Sequence, residues 1–379
     1  MSQPKQRAVA ASQVFDGAVV HRDAAVVIEG GRISALMPRA ELPHAIDIDA
    51  LPDGLWLAPG FIDLQVNGGG DVLFNDTPTP EGIAVIAAAH RQFGTTALLP
   101  TLITDTAEKM QSALAAVRMV RGRHPGVLGI HLEGPFLSPD RPGVHCVRHI
   151  RAPSAADIDM LTAARAGAML ITLAPERVPA GFIARLVAAG IRVSLGHSAA
   201  TYEQTRAGMA EGLAGFTHLF NAMPPLLSRA PGPIAAALET ASAWYGLIVD
   251  GVHVDPAVLR LALRGAGRPM LVTDAMPPVG GQRASFTLYG EEIRAADGRC
   301  LRKDGTLAGA ALDMASAVRN CVRMLDVPLE RALSFASAHP ADFIGLGASL
   351  GRIAPGFRAD LVAFDPHDVH VVRTWVAGE

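Results

Sequence analysis

The chain has 379 residues, a formal net charge of −3, and a composition that is 50% hydrophobic and 5% aromatic. That balance argues against nucleic acid or an anionic membrane surface as partner, and the length exceeds one ordinary domain. No run of 18 apolar residues occurs, and the opening MSQPKQRAVAASQVFDG lacks the apolar core of a secretory signal, so a cytoplasmic protein is expected. Cys146, Cys300 and Cys321 are odd in number and far apart, which speaks against a disulfide framework and against a C-x-x-C metal site. There is no internal repeat and no low-complexity tract.

In chain order, AAVVIEGGRISALM (24–37) reads as two short strands joined at Gly30 and Gly31. Eight short apolar segments follow: LAPGFIDLQVN (57–67), TALLPTL (96–102), VLGIHLEG (127–134), MLITLAPE (169–176), RVSLGHS (192–198), GFTHLFN (215–221), GLIVDG (246–251) and PMLVTDA (269–275). Each ends in a polar or turn residue. Most are followed by Ala- and Leu-rich stretches such as EGIAVIAAAHRQF, AEKMQSALAAVRMV and GFIARLVAAG, whose apolar spacing fits amphipathic helices. Strands buried on both faces and alternating with helices are parallel βαβ units, and eight of them suggest a closed TIM-like (β/α)8 barrel. An open doubly wound sheet is the alternative, weakened by the lack of G-x-G-x-x-G after a first strand. Past the last helical stretch, GRIAPGFRADLVAFD (351–365) and VHVVRTWVAGE (369–379) again read as strands. The expected organisation is a small β-sandwich domain built from residues 1–55 and 346–379, and a barrel over 56–345.

Active-site residues of such barrels sit at the carboxyl ends of the strands. The third, fifth, sixth and eighth segments deliver Glu133, His197, His218 and Asp274 there. A single strand histidine is usually a satisfied core residue. Two on neighbouring strands beside a glutamate instead make three N/O ligands with an open position, as for a catalytic divalent metal. Such an ion lowers the pKa of bound water towards ~7. Asp274, after LVT and before AMPPVGG, reads either as a turn-initiating or capping aspartate or as a general base that takes the water proton. The metal triad in the same ring favours the base, with Asp250 in LIVDG as the competing carboxylate. His21, His44, His367 and His370 read as solvated surface. His131 shares the strand parity of Glu133 and reads as a buried neighbour of the ligands.

Further motifs carry a resemblance. PGFIDLQVNG, HLEGPFLSP with GVH, GHSAATY, THLFNAMPPLLSRAPG, DGVHVDP, LVTDAM, GTLAGAALDM and GRIAPGFRADLV span residues 55–365. Together they resemble the amidohydrolase superfamily and, within it, the N-acetylglucosamine-6-phosphate deacetylases. PGFID and the tail motif are widely shared, whereas HLEGPF, GHS and THLFNAM together are specific. The resemblance implies that Glu133, His197 and His218 hold the metal and that Asp274 is the catalytic acid and base. It implies substrate contacts at His145, Asn221, Ala222, Arg229 and His253, with the loop 305–310, including Leu307, Ala308 and Gly309, lying against the substrate. It also implies a homodimer in which one phosphate contact comes from the neighbouring subunit, with Arg229 and His253 the positions to examine. Arginine suits a phosphate because its fork donates two parallel hydrogen bonds. Glycines in GTLAGA permit close backbone approach.

The chain departs from the wider superfamily at the end of the first strand, where Gln65, Val66 and Asn67 replace His-x-His. Its only lysines are Lys5, Lys109 and Lys303, none at the end of the fourth strand, so a bridging carboxylated lysine is ruled out. Both features point to one tightly held divalent ion per subunit; zinc suits the set, and iron or manganese also accepts these ligands. The expected chemistry is hydrolysis of the acetamide on N-acetylglucosamine 6-phosphate, with Asp274 moving the proton and His145 donating to the oxyanion. Three readings stay open beside it: a deacetylase for the galactosamine epimer, another amidohydrolase acting on a cyclic or N-acyl amide, and a non-catalytic barrel. The last would be expected to have lost one of Glu133, His197, His218 or Asp274.

Overall fold

A computed structural model describes residues 6–379; Lys5 and the other first residues lie outside it. Eight parallel strands stand in strict chain order: Phe61–Val66, Thr95–Ile103, Gly129–Glu133, Ala168–Leu173, Arg192–Leu195, Gly215–Phe216, Trp244–Leu247 and Arg268–Leu271. Side chains on both faces are covered, by the barrel interior on one side and the helices on the other. All nine residues of Thr95–Ile103 are accordingly buried, which is why its sequence shows no polar alternation. The ring closes between its first and eighth strands, where Val66 bridges Ala275 and the Asn67 and Gly68 amides both donate to the Ala275 carbonyl at 2.9 Å. Beneath that seam the buried Asp63 carboxylate accepts from the Thr273 hydroxyl at 2.5 Å and the Thr273 amide at 3.3 Å.

Several helices form with side-chain caps, whereas Phe182–Ala188, in the predicted GFIARLVAAG stretch, starts at Gly181 without one. Thr79 precedes Pro80–Arg91, Thr106 precedes Ala107–Arg121, and reciprocal capping boxes start Ala155–Ala163 and Tyr202–Ala210. Three further helices, Met314–Leu325, Leu329–Ala336 and Ala338–Phe343, follow the barrel strands. The first turns Met314, Ala317, Val318, Cys321 and Leu325 onto one buried stripe.

The segment 57–67 is two strands rather than one. Trp56–Pro59 belongs to a seven-stranded sheet with Arg7–Phe15, Val20–Glu29, Arg32–Pro38, Asp47–Ala50, Leu361–Asp365 and His370–Trp375, and only past Gly60 does the chain enter the barrel. Both halves are apolar, so their periodicity concealed the switch. Val20–Glu29 and Arg32–Pro38 are the hairpin expected at Gly30 and Gly31. Ile33 near one edge of this sheet and Trp375 near the other share one apolar cluster, so the sheet wraps into a sandwich-like shell.

Residues 285–310 were read from sequence only as far as a substrate loop at 305–310. They form a four-stranded antiparallel sheet, Ser285–Leu288, Glu291–Ala296, Arg299–Leu301 and Leu307–Ala310. Its last strand reaches the barrel mouth: Ala310 donates to the Asp274 carbonyl at 3.0 Å and Met276 donates to the Ala310 carbonyl at 2.9 Å.

Candidate metal centre and substrate pocket

Glu133 is the last residue of the third strand, while His197 and His218 each lie two residues past the ends of the fifth and sixth. All three are buried. Nε2 of His197 lies 3.1 Å and Nε2 of His218 lies 3.0 Å from the same carboxylate oxygen, Oε1 of Glu133, and the two nitrogens are 3.1 Å apart. The Arg141 carbonyl, 3.0 Å from His197 Nδ1, can only accept, so the His197 proton sits on Nδ1 and its Nε2 presents a bare lone pair. A lone pair, a second imidazole nitrogen and a carboxylate oxygen facing one another call for a cation. The donor set is the kind that holds a divalent ion, with all three ligand atoms within 4.8 Å of one another. Burial opposes ionisation of Glu133, yet contacts with His197 and His218 outweigh it and hold the carboxyl well below its usual range.

Three of the four strand-end residues leave the strand in the left-handed region: His197 at φ 48°, His218 at 32° and Asp274 at 51°. Side chains there are costly, and such strain gathers at functional sites. Each carbonyl is anchored, His197 by the Ser138 amide at 2.8 Å, His218 by the amide and side chain of Asn221 at 3.0 and 3.1 Å, and Asp274 by Ala310.

Asp274 stands over this group. Its Oδ1 accepts from Asn67 Nδ2 at 2.7 Å and Gln65 Nε2 at 3.1 Å, and the same Gln65 amide reaches Glu133 Oε2 at 3.2 Å. Burial first, and then the Glu133 charge, push the Asp274 carboxyl above its usual range. Gln65 and Asn67, which stand where His-x-His ligands would be, use their amides to hold the two carboxylates. Period-two geometry, which aims residues 65 and 67 at the same face, was the available signal.

The group forms the floor of a cavity of about 300 Å³. His145, Asn221, Ala222, His253, Leu307 and Gly309 line it with Glu133, His197, His218 and Asp274. Ala308 does not: strand alternation turns it into an apolar cluster with Met276, Leu288 and Ile293, and the sequence reading missed Thr306 on the lining. Glycine at 309 is required, since its φ is 66° and a Cβ would meet Met276 Cγ at 2.7 Å and the Asp274 carbonyl at 3.1 Å. Arg229 is exposed and stands outside the lining of its own chain's pocket.

Two imidazoles on the rim are oriented by neighbours. His253 Nδ1 meets Asp250 Oδ2 at 2.6 Å while Asp250 Oδ1 accepts from the Val252 and His253 amides, so Asp250, the competing carboxylate, serves to hold His253. His145 Nδ1 faces Thr104, and burial followed by repulsion from His197 holds its pKa well below the ordinary histidine value. His131 is buried against Thr172 Oγ1 at 2.7 Å, outside the Glu133–His197–His218 group, with burial pushing its pKa down to about 4. His44, His367 and His370 are exposed, and His21 pairs with Asp16. Lys109 pairs with Asp105 and Lys303 is exposed, so neither described lysine joins the Glu133–His197–His218 group. All three cysteines are free.

A divalent-metal hydrolase on a (β/α)8 scaffold is the class that this fold and donor set define. The model of the Amidohydrolase family matches residues 56–379. The chain belongs to the amidohydrolase family, in the branch that holds the N-acetylglucosamine-6-phosphate and N-acetylgalactosamine-6-phosphate deacetylases. It is 45% identical to an N-acetylgalactosamine-6-phosphate deacetylase of Shewanella sp. over 85% of this chain and 82% of that protein. The structure of N-acetylglucosamine-6-phosphate deacetylase from Pasteurella multocida superposes with a TM-score of 0.95 at 37% identity, covering 99% of both chains. That of the Mycobacterium smegmatis N-acetyl-D-glucosamine-6-phosphate deacetylase, an aspartate-to-alanine variant in complex with N-acetyl-D-glucosamine-6-phosphate, superposes with a TM-score of 0.90 at 35% identity, covering 99% of both.

Proposed function

We propose that this chain hydrolyses N-acetyl-D-glucosamine 6-phosphate to D-glucosamine 6-phosphate and acetate, in cytoplasmic amino-sugar catabolism. The observation that carries the reading is the convergence of Glu133, His197 and His218 beneath Asp274 in one pocket, on a scaffold matched along its whole length by deacetylases of that activity. No described helix is long and apolar enough to cross a membrane.

Glu133, His197 and His218 hold a single divalent ion, zinc being the first choice for two imidazoles and a carboxylate and iron or manganese the others to assay. When bound, the ion supplies Lewis acidity that makes water nucleophilic near neutral pH. Asp274 takes the proton of the attacking water; its raised pKa suits a base that must later act as an acid. His145 donates to the acetyl carbonyl as its oxygen gains charge, and Asp274 returns the proton to the amine nitrogen as the C–N bond breaks. Asn221, Ala222 and His253 orient the sugar, with Leu307 and Gly309 closing over it.

The phosphate is gripped by Arg229 of a second subunit in a homodimer. Arg229 is exposed, lies off its own pocket, and sits beside Leu226 and Leu227, which are 54% and 56% exposed. An interface there would cover both leucines and carry the guanidinium to a neighbouring pocket.

Acetate release from N-acetylglucosamine 6-phosphate tests the proposal, measured beside the unphosphorylated sugar and with metal content on the same sample. Equal rates with and without phosphate would overturn it. The galactosamine epimer belongs in the same assay, because the Shewanella relative carries that name at 45% identity.

A further inference from the structure

The second barrel strand ends at Ile103, and the next residue, Thr104, is buried and faces His145 with two groups at once. The Thr104 backbone amide donates to His145 Nδ1 at 3.2 Å, and Thr104 Oγ1 lies 2.8 Å from the same nitrogen. A backbone N–H has one proton and no lone pair, so it cannot exchange roles as a hydroxyl can. Were the His145 proton on Nδ1, this buried amide would face a hydrogen and lose its acceptor, an arrangement folded proteins avoid. Nδ1 therefore carries the lone pair, and the ring's proton resides on Nε2, the atom turned towards the pocket floor 3.9 Å from Glu133 Oε1.

Thr104 is itself held on every side. Its hydroxyl can donate to the Glu133 carbonyl at 3.3 Å as well as to His145 Nδ1 at 2.8 Å, so the tautomer is fixed by the amide and not by the hydroxyl. Its own carbonyl accepts from the Tyr289 hydroxyl at 2.5 Å, so the four-stranded sheet over the mouth pins it from above. Gly134 makes the close approach feasible: a Cβ there would meet Thr104 Oγ1 at 2.1 Å. The His145 ring, in turn, is stacked edge-on against His197 with centroids 4.2 Å apart, which prevents it from swinging to another partner.

We propose that Thr104 is a positioning residue for the hydrolysis: its amide sets the His145 tautomer and its hydroxyl, 2.8 Å from Nδ1, steadies the ring, so that Nε2–H, fixed in direction, is offered to the acetyl carbonyl oxygen. The inference rests on the deacetylase reading for its substrate but not for its geometry. It divides the labour within the site. His145 lends a hydrogen bond to the carbonyl oxygen as the water oxygen–carbon bond forms and keeps its own proton throughout. Both proton movements, from water and to the departing nitrogen, then fall to Asp274.

The test uses the full-length, zinc-loaded protein labelled with nitrogen-15 histidine, with the His145 resonances assigned by their disappearance in His145→Gln. Long-range proton–nitrogen correlations at neutral pH are expected to show a bare Nδ1 and a protonated Nε2. A proton on Nδ1 would overturn the proposal whatever the enzyme's substrate proves to be, whereas the expected tautomer without acetate release would count against the deacetylase reading alone. Thr104→Val, which removes the hydroxyl at nearly constant shape but keeps the amide, is expected to retain the Nε2 tautomer and to lower kcat by roughly tenfold at unchanged KM, because the ring loses one of its two anchors. Thr104→Ser is expected to restore kcat. A serine variant as impaired as the valine variant, or a valine variant with unchanged kcat, would refute the positioning role.

Discussion

Asn67 Nδ2 stands 2.7 Å from Asp274 Oδ1, across the seam where the first and last barrel strands meet. One carboxylate oxygen is thereby committed to amide donors, since Gln65 reaches the same atom. The other oxygen is left to the pocket. Asn67→Ala removes a hydrogen bond to a charged group, worth about 1.5–3 kcal/mol. Steady-state kinetics should show kcat lower by roughly tenfold or more with metal content intact. A normal kcat would mean that Asp274 is held by something else.

Asp274→Asn keeps the hydrogen-bonding shape and deletes the proton acceptor. Turnover should fall by roughly 10²- to 10⁴-fold, the usual contribution of a positioned acid and base. Metal analysis of the same sample should match wild type, because Asp274 is not one of the three converging ligands. A metal-free variant would move Asp274 into the ligand set.

Removing a ligand should do the reverse. Glu133→Gln and His197→Ala are expected to emerge with little bound metal. Chelation of the wild-type protein should abolish acetate release, and added divalent ion should restore it. Activity that survives exhaustive chelation would rule out the metal-assisted reading.

Arg229→Ala addresses the phosphate. Its loss should raise KM for the phosphorylated sugar by roughly tenfold or more while leaving kcat and the weak reaction of the unphosphorylated sugar nearly unchanged. Mixing Arg229→Ala subunits with Asp274→Asn subunits provides a sharper measurement. If the arginine acts across an interface, hybrids contain one pocket with neither defect and regain activity. If it acts within its own chain, no pocket combines a normal Arg229 with tight binding and a normal Asp274, so KM stays high.

Asp63 gives a prediction about stability. Burial pushes its carboxyl up from 3.8 to about 7, against the opposing hydrogen bonds from Thr273 and Gln65. Between those values the folded protein retains a proton that the unfolded chain has released. Stability from this group is thus fully present below 3.8 and is lost as pH rises through about 7. Asp63→Asn mimics the protonated form at all pH values. Its unfolding midpoint, relative to wild type, should rise steadily from pH 4 to pH 7; a constant difference would show that Asp63 is already ionised at low pH.

Much of the architecture was legible because it repeats locally. Eight apolar segments alternating with 3.6-periodic stretches need no distant information to read as strands and helices, and the barrel rule then sends strand-end residues to one face. Glu133, His197 and His218 could be singled out for that reason, and Asp274 with them. The break at Gly60 was hidden, since Trp56–Pro59 and Phe61–Val66 are equally apolar and only their different sheets distinguish them. The outward turn of Ala308 was hidden as well, because the strand Leu307–Ala310 exists only through its pairing with Arg299–Leu301 and its bonds to residues 274–276.

Residue types and their period thus pointed to the scaffold and to the Glu133, His197 and His218 group, which depend on chemistry carried by each side chain and on its place within one strand. Tertiary structure alone decided how those groups are aimed. Asn67 and Asp274 are 207 positions apart, and Thr104 and His145 are 41 apart. Which oxygen of Asp274 is free, and which nitrogen of His145 bears the proton, follow from hydrogen bonds that exist only after the barrel has closed and desolvated both partners, when an unmatched donor or acceptor becomes costly.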